Sequence, residues 1–226
     1  MTPSELFDRF RSDVVDLAKP YLWSDDEVWG YLSAAHAQFI RLTGGIADFL
    51  SDATQVQMTT GERVADLDST ILHIEDAFRV SDGAPIKIIN LSDPNINSGD
   101  DYGIARRSLN ISTLGPVRYM VIGRQRGKCE WLDTPAVDDV AQLTIRRMPL
   151  ALAGENVDEF EGVEDDRVIN LLDWMKHLAY KKQDADTFDK EKSDGCALMF
   201  ERYCTQCVRE WNRYKHKTRI VSYGGI

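Results

Sequence analysis

The sequence predicts an α+β protein in which N- and C-terminal helix hairpins form a four-helix bundle, with an inserted antiparallel β domain. Three observations lead there. Apolar residues recur every three or four positions over residues 1–53 and again over 163–226. Between them, over 54–162, the period falls to two and turn-forming residues punctuate the chain at short intervals. Each hairpin carries one apolar face, and the economical way to bury both is against each other. The expected division is therefore a helical bundle from 1–53 and 163–226, and a β-rich insertion domain from 54–162.

The first helix opens at Thr2-Pro3-Ser4-Glu5, where Thr2 can cap, Pro3 suits the first turn and Glu5 completes a capping box. Leu6, Phe7, Phe10, Val14 and Leu17 make its stripe, and Lys19-Pro20 stops it. Ser24-Asp25-Asp26-Glu27 is a second capping box, with Trp23 before it placed to staple onto Val28. Val28, Leu32, Ala35, Phe39 and Leu42 form the buried stripe of that helix, and Gly44-Gly45 ends it.

Strands follow. Leu72, Ile74, Phe78 and Val80 alternate with polar positions, and PIKII (85–89), VRYMVIGR (117–124), KCEWL (128–132) and AQLTIRRM (141–148) continue the signal. Short connections favour antiparallel pairing. DPNINSGDDYG (93–103) reads as a surface loop and 104–109 as a short helix. A third helix is expected from about Asp166 to Lys182. A long fourth, from about Lys190 to Lys217, is expected to bury Cys196, Phe200, Tyr203, Cys207, Trp211 and Tyr214.

Composition narrows function. With 43% hydrophobic and 28% charged residues the chain is globular rather than disordered. No apolar run approaches the roughly 18–20 residues of a membrane span, and the charged N-terminus lacks a signal-peptide core. No membrane partner is expected, and the chain should stay in the cytoplasm or in a particle assembled there. A net charge of −10 argues against free-standing nucleic-acid binding. The charge is uneven: ENVDEFEGVEDD (155–166) has seven acids and no base, while the tail from Arg209 has five bases and one acid. Such asymmetry suits head-to-tail contacts between identical copies, docking on an acidic partner, or simply two solvated faces.

Chemistry is sparse. Cys204-x-x-Cys207, with His177 and His216, contains zinc-ligand types, but Cys207 and His216 are roughly 13 Å apart along one helix. Cysteines on a helical stripe also serve as small core hydrophobes. The acid pairs Asp25/Asp26, Asp100/Asp101, Asp138/Asp139 and Asp165/Asp166 sit where caps and turns are expected. Asp184-Ala185-Asp186 lacks the glycine and distal glutamate of a calcium loop. His36 and His73 have no evident nucleophile with a third orienting group, and no phosphate-binding or nucleophile-elbow motif occurs. Neither an enzyme nor a cofactor is expected. A small zinc-stabilised protein or enzyme using Cys204 and Cys207 is the alternative from another class.

Four motifs in order resemble the phage head–tail adaptor (connector) family: PYLWSDDEVWGYLSAAHAQF; GPVRYMVIG with EWLDTPAVDD and LTIRRMPLAL; VINLLDWMKHLAYKKQDADTFD; and a last long helix with a short tail. Together they span nearly the whole chain. The resemblance implies a structural virion protein at the head–tail junction. It implies a homo-oligomeric ring, commonly of twelve copies, with the portal protein on one face and a tail or nozzle protein on the other. DNA would pass through the ring's channel without specific binding. In such proteins the C-terminal tail often reaches the portal, which gives Arg219, Ile220, Val221, Ser222 and Tyr223 a docking role through added-strand pairing. The same tail also reads as a frayed terminus. A tail-tube or tail-completion protein is the nearest alternative, disfavoured by the dominant helical pairs.

Overall fold

A computed structural model of the chain describes residues 1–91, 114–183 and 187–215. The expected loop at 93–103, the short helix at 104–109, Asp184, Asp186, His216 and the docking tail at 219–223 lie outside the described residues. The fold is α+β, with four α-helices and three sheets among the described residues, and it divides into two compact units. One comprises Met1–Gly45 and Pro149–Ile226, the other Ile46–Met148.

In the first unit, helix α1 (Pro3–Asp13) starts as its sequence dictates. The Thr2 hydroxyl accepts the Glu5 amide at 3.2 Å, and the Glu5 carboxylate accepts the Thr2 amide at 2.8 Å. Helix α2 (Asp25–Thr43) repeats the device with Ser24 and Glu27, and ends at Gly44 with φ 92°. Glycine adopts that left-handed conformation without Cβ strain. Leu42, expected in the stripe, is exposed; Ile40 and His36 are buried instead.

Helix α1 stops a turn short of its apolar spacing. Val15 takes φ 59°, and Leu17 points to solvent. The reason is a buried ion pair: the Arg11 guanidinium donates to Asp16, to the Trp23 carbonyl (2.7 Å) and to Asp25 (2.7 Å). Asp16 in turn accepts the Leu22 amide at 2.9 Å. Ending the helix at Asp13 brings Asp16 back onto Arg11, and two charges removed from water must find one another.

After a 3₁₀ turn at Val168–Asn170 come α3 (Leu171–Lys181) and α4 (Lys190–Lys215). Helix α3 packs on α2 and α4, and α1 lies against α2 and α3. Trp23, just before α2, donates its indole N–H to the Ala179 carbonyl at 3.2 Å, satisfying a carbonyl in the last turn of α3. Phe200 is fully buried, between Phe39 and Trp174. Phe200 and Cys207 are buried as expected, but Cys196 and Tyr203 are only half-buried and Trp211 is 43% exposed, because the helix outruns its core over Arg209–Arg213; the Tyr214 side chain lies outside the described residues.

The second unit holds ten strands among the described residues. They are β1 (Ile46–Asp48), β2 (Gln55–Met58), β3 (Val64–Asp66), β4 (Ile71–Arg79), β5 (Lys87–Asn90), β6 (Leu114–Gly115), β7 (Tyr119–Ile122), β8 (Lys128–Trp131), β9 (Thr134–Pro135) and β10 (Asp139–Arg147). In the first sheet β10 pairs antiparallel with β4 along one edge and with β1 and β2, end to end, along the other. The second sheet has the order β3-β8-β7-β5, and β6 pairs with β9. Val56, Met58, Ile74, Met120, Trp131, Leu143 and Ile145 belong to the core of the unit.

The insertion was expected to be antiparallel, and it is mixed: β5 pairs with β7, and β6 with β9, in parallel. Parallel neighbours need a crossover of a dozen or more residues, which the stretch 91–118 supplies. Strand β4 brings a second correction. Its register on β10 slips twice, leaving Leu72 and Glu75 as extra residues. Each bulge reverses the in–out phase, so Ile74 and Ala77 are buried while Leu72, Phe78 and Val80 are exposed. Near the far end of β10, Arg147 pairs with Asp48 in a second buried ion pair. Burial would raise the Asp48 carboxyl, but hydrogen bonds from Ser51, Arg147 and the Leu50 amide outweigh it and hold the group far below the usual range.

Candidate functional site

Cys204 and Cys207 face the core of the first unit at 2% and 3% exposure. Burial pushes the Cys204 thiol up to about 12, as for a core thiol rather than a reactive thiolate. His177 is occupied elsewhere: its Nδ1 lies 3.0 Å from the Ser193 carbonyl, and the Ser193 hydroxyl donates to the His177 carbonyl at 3.0 Å. A ring nitrogen facing a carbonyl must carry its proton, so Nδ1 is no base for the nearby Ser193 hydroxyl. Among the described residues no group of three or more His, Cys, Asp or Glu side chains is arranged to hold a metal ion.

The described carboxylate pairs, expected as caps and turn formers, are engaged instead by partners distant in sequence. Asp25 receives Arg11, Asp138 accepts the amide and hydroxyl of Thr60 (2.7 and 2.8 Å), and Asp139 accepts the Ser81 hydroxyl at 2.6 Å. Those bonds from Thr60 hold the Asp138 carboxyl below its usual value. His73 is exposed on β4.

His36 does something the sequence reading missed. Fully buried on α2, it accepts the Ala153 amide at Nδ1 (3.1 Å), which leaves Nε2 protonated to donate to the Glu161 carbonyl at 2.8 Å. Phe160 packs edge-on against the ring at 5.5 Å. One neutral imidazole thus latches residues 153 and 161 onto α2, and the intervening Glu155, Asp158 and Glu159 are held out in solvent. The clue was spacing: Leu32, His36 and Ile40 recur at four-residue intervals, putting His36 on the apolar face.

What the first unit offers is therefore surface: a latched acidic strap and an exposed stretch of α4 over Arg209–Arg213. The sequence profile of the SU10 adaptor protein family matches residues 1–213. The chain belongs to this family. The head–tail adaptor resemblance of its motifs agrees with that membership, and a phage structural adaptor is what it indicates. No curated protein matches the chain. The matched range ends inside α4, so the tail that carries Arg219, Ile220, Val221, Ser222 and Tyr223 lies beyond both the match and the described residues of the adaptor. No helix among the described residues is long and apolar enough to cross a membrane.

Proposed function

We propose that this adaptor sits in the virion at the head–tail junction, assembles there as a ring of copies, commonly twelve, and joins the portal protein to a tail or nozzle protein around the DNA channel. The carrying observation is the family match over residues 1–213. In this reading the helices work together as a four-helix bundle from 1–53 and 163–226, and the β-rich part, 54–162, is an insertion domain facing a second partner. The tail residues Arg219 to Tyr223 add a strand to a portal sheet edge, an apolar alternation being suited to that mode. DNA slides past, because a chain of net charge −10 gives phosphate little to hold. Assembly takes place in the host cytoplasm.

Electron microscopy of lysates from the parent phage with this gene disrupted tests the reading. DNA-filled or leaking heads without tails are expected. Tailed infectious particles overturn it, and headless tubes of abnormal length would move the protein into the tail. Deleting residues 218–226 should leave a folded subunit that no longer attaches to portals, and undiminished attachment removes the docking role of the tail.

A further inference from the structure

The C-terminal half of α4 carries a row of exposed arginines that no described acid pairs with. At 100° per residue, Leu198, Arg202, Arg209 and Arg213 fall within about 60° of one another on the helix surface. All four are exposed, and among the described residues no acid forms an ion pair with any of the three arginines. The acids of this stretch, Glu201 and Glu210, flank the row on opposite sides, and Glu210 is engaged by Gln206 (2.9 Å) and Arg167 (3.8 Å).

The same unit carries the complementary surface. Within the strap, Glu161 accepts the Leu150 amide, Glu164 pairs with Arg167, and Asp165 takes the N-terminal ammonium. Glu155, Asp158 and Glu159 are exposed without any such partner, beside an exposed Leu152. His36 and Phe160 fix this stretch, so presenting its charges costs little ordering entropy. The dimensions agree. Arg202 to Arg213 spans about 16 Å along the helix axis, and residues 155 to 159 span at most about 14 Å. Among the described residues the row forms no ion pair with its own strap, and where Arg167, past the strap, reaches α4 at Glu210, it is about 100° round the helix from Arg209.

We propose that the arginine row of α4 docks on the Glu155–Glu159 strap of a second copy, with Leu198 against Leu152 at one end of the contact. Two different patches of one chain meet, so the contact is heterologous and propagates from copy to copy, closing into a ring when the rotation permits. This rests on the reading of the chain as a ring-forming adaptor and supplies its subunit interface. A second copy is favoured over DNA as occupant because the strap provides the matching charge and the chain as a whole repels phosphate.

The test uses the full chain and two triple variants, R202E/R209E/R213E and E155K/D158K/E159K, all substituted at exposed sites and checked for native circular dichroism. Sedimentation equilibrium at low salt should show wild-type self-association that weakens as salt is added. Each variant alone should associate at least tenfold more weakly, and an equimolar mixture should recover association between the unlike chains. A wild-type chain that stays monomeric to millimolar concentration at low salt overturns the proposal, as does association that neither variant changes. Neither outcome touches the junction reading, which the gene-disruption phenotype decides separately. Duplex DNA retained by the wild type and lost in the arginine variant would also overturn it, in favour of a phosphate contact.

Discussion

Arg11 and Asp16 form an ion pair with side-chain exposures of only 6% and 2%, and through it they decide where the first helix ends. The guanidinium also lies over the Tyr21 ring, 4.3 Å from its centroid, so one cation ties α1, the turn and the start of α2 together. Removing one partner leaves the other charged and buried. Arg11→Ala and Asp16→Ala should each cost about 3–5 kcal/mol, read as a lower midpoint in urea with an unchanged slope. The double replacement Arg11→Met with Asp16→Leu should cost less than either. A cost equal to the sum of the single losses would show that the two side chains are not coupled.

Helix α2 separates two glycines by sign. Gly30 lies exposed in its interior, with open space where a Cβ would go, so Gly30→Ala should stabilise by about 0.5–1 kcal/mol. Gly44 has equal space but φ +92°, so Gly44→Ala should destabilise by about 1 kcal/mol. At the other end Ser24→Ala should cost about 1 kcal/mol through the lost cap. Thermal melts of the three variants against the parent check all three directions.

Burial pushes the His36 imidazole below its usual value, only partly opposed by its bond to the Glu161 carbonyl. The folded state thus holds this ring neutral while the unfolded state protonates it near the ordinary histidine value of about 6.5. Its stabilising contribution is complete above that pH and is lost as pH falls toward the folded value, with a slope of at most about 1.4 kcal/mol per unit. Urea midpoints between pH 8 and 5 should show this fall. His36→Gln should flatten it while lowering stability at pH 8 by unlatching the strap.

Thiol reactivity should follow burial. Cys129 and Cys204 are both pushed up to about 12 by burial, and Cys196, half-buried, is raised as well. At pH 8 an alkylating reagent should modify Cys196 first and leave Cys129 and Cys204 intact until denaturant is added. Mass spectrometry of the timed reaction reads the order. Early loss of Cys204 would argue against its core placement.

The sequence alone determined the features whose causes are local. The caps at Thr2 and Ser24, the glycine stop at Gly44, the extent of α4 up to Lys215 and the cores of β7, β8 and β10 all depend on residues within a few positions of one another. The ordered motifs likewise pointed to the adaptor family that the profile match identifies.

Tertiary structure decided what depends on partners distant in sequence. Asp16 ends α1 early because it turns back to a buried Arg11, which no periodicity reports. The bulges at Leu72 and Glu75 arise from pairing with β10, some seventy residues on, and they overturn the alternation that β4 shows on paper. The parallel β5–β7 pair needs a crossover that strand spacing does not encode. His36 becomes a latch only when residues 153 and 161 are brought to its two nitrogens. Local signals survive folding because their energies are realised within one turn of chain. The remaining choices belong to desolvated charges and sheet register, whose energies exist only once distant segments exclude water together.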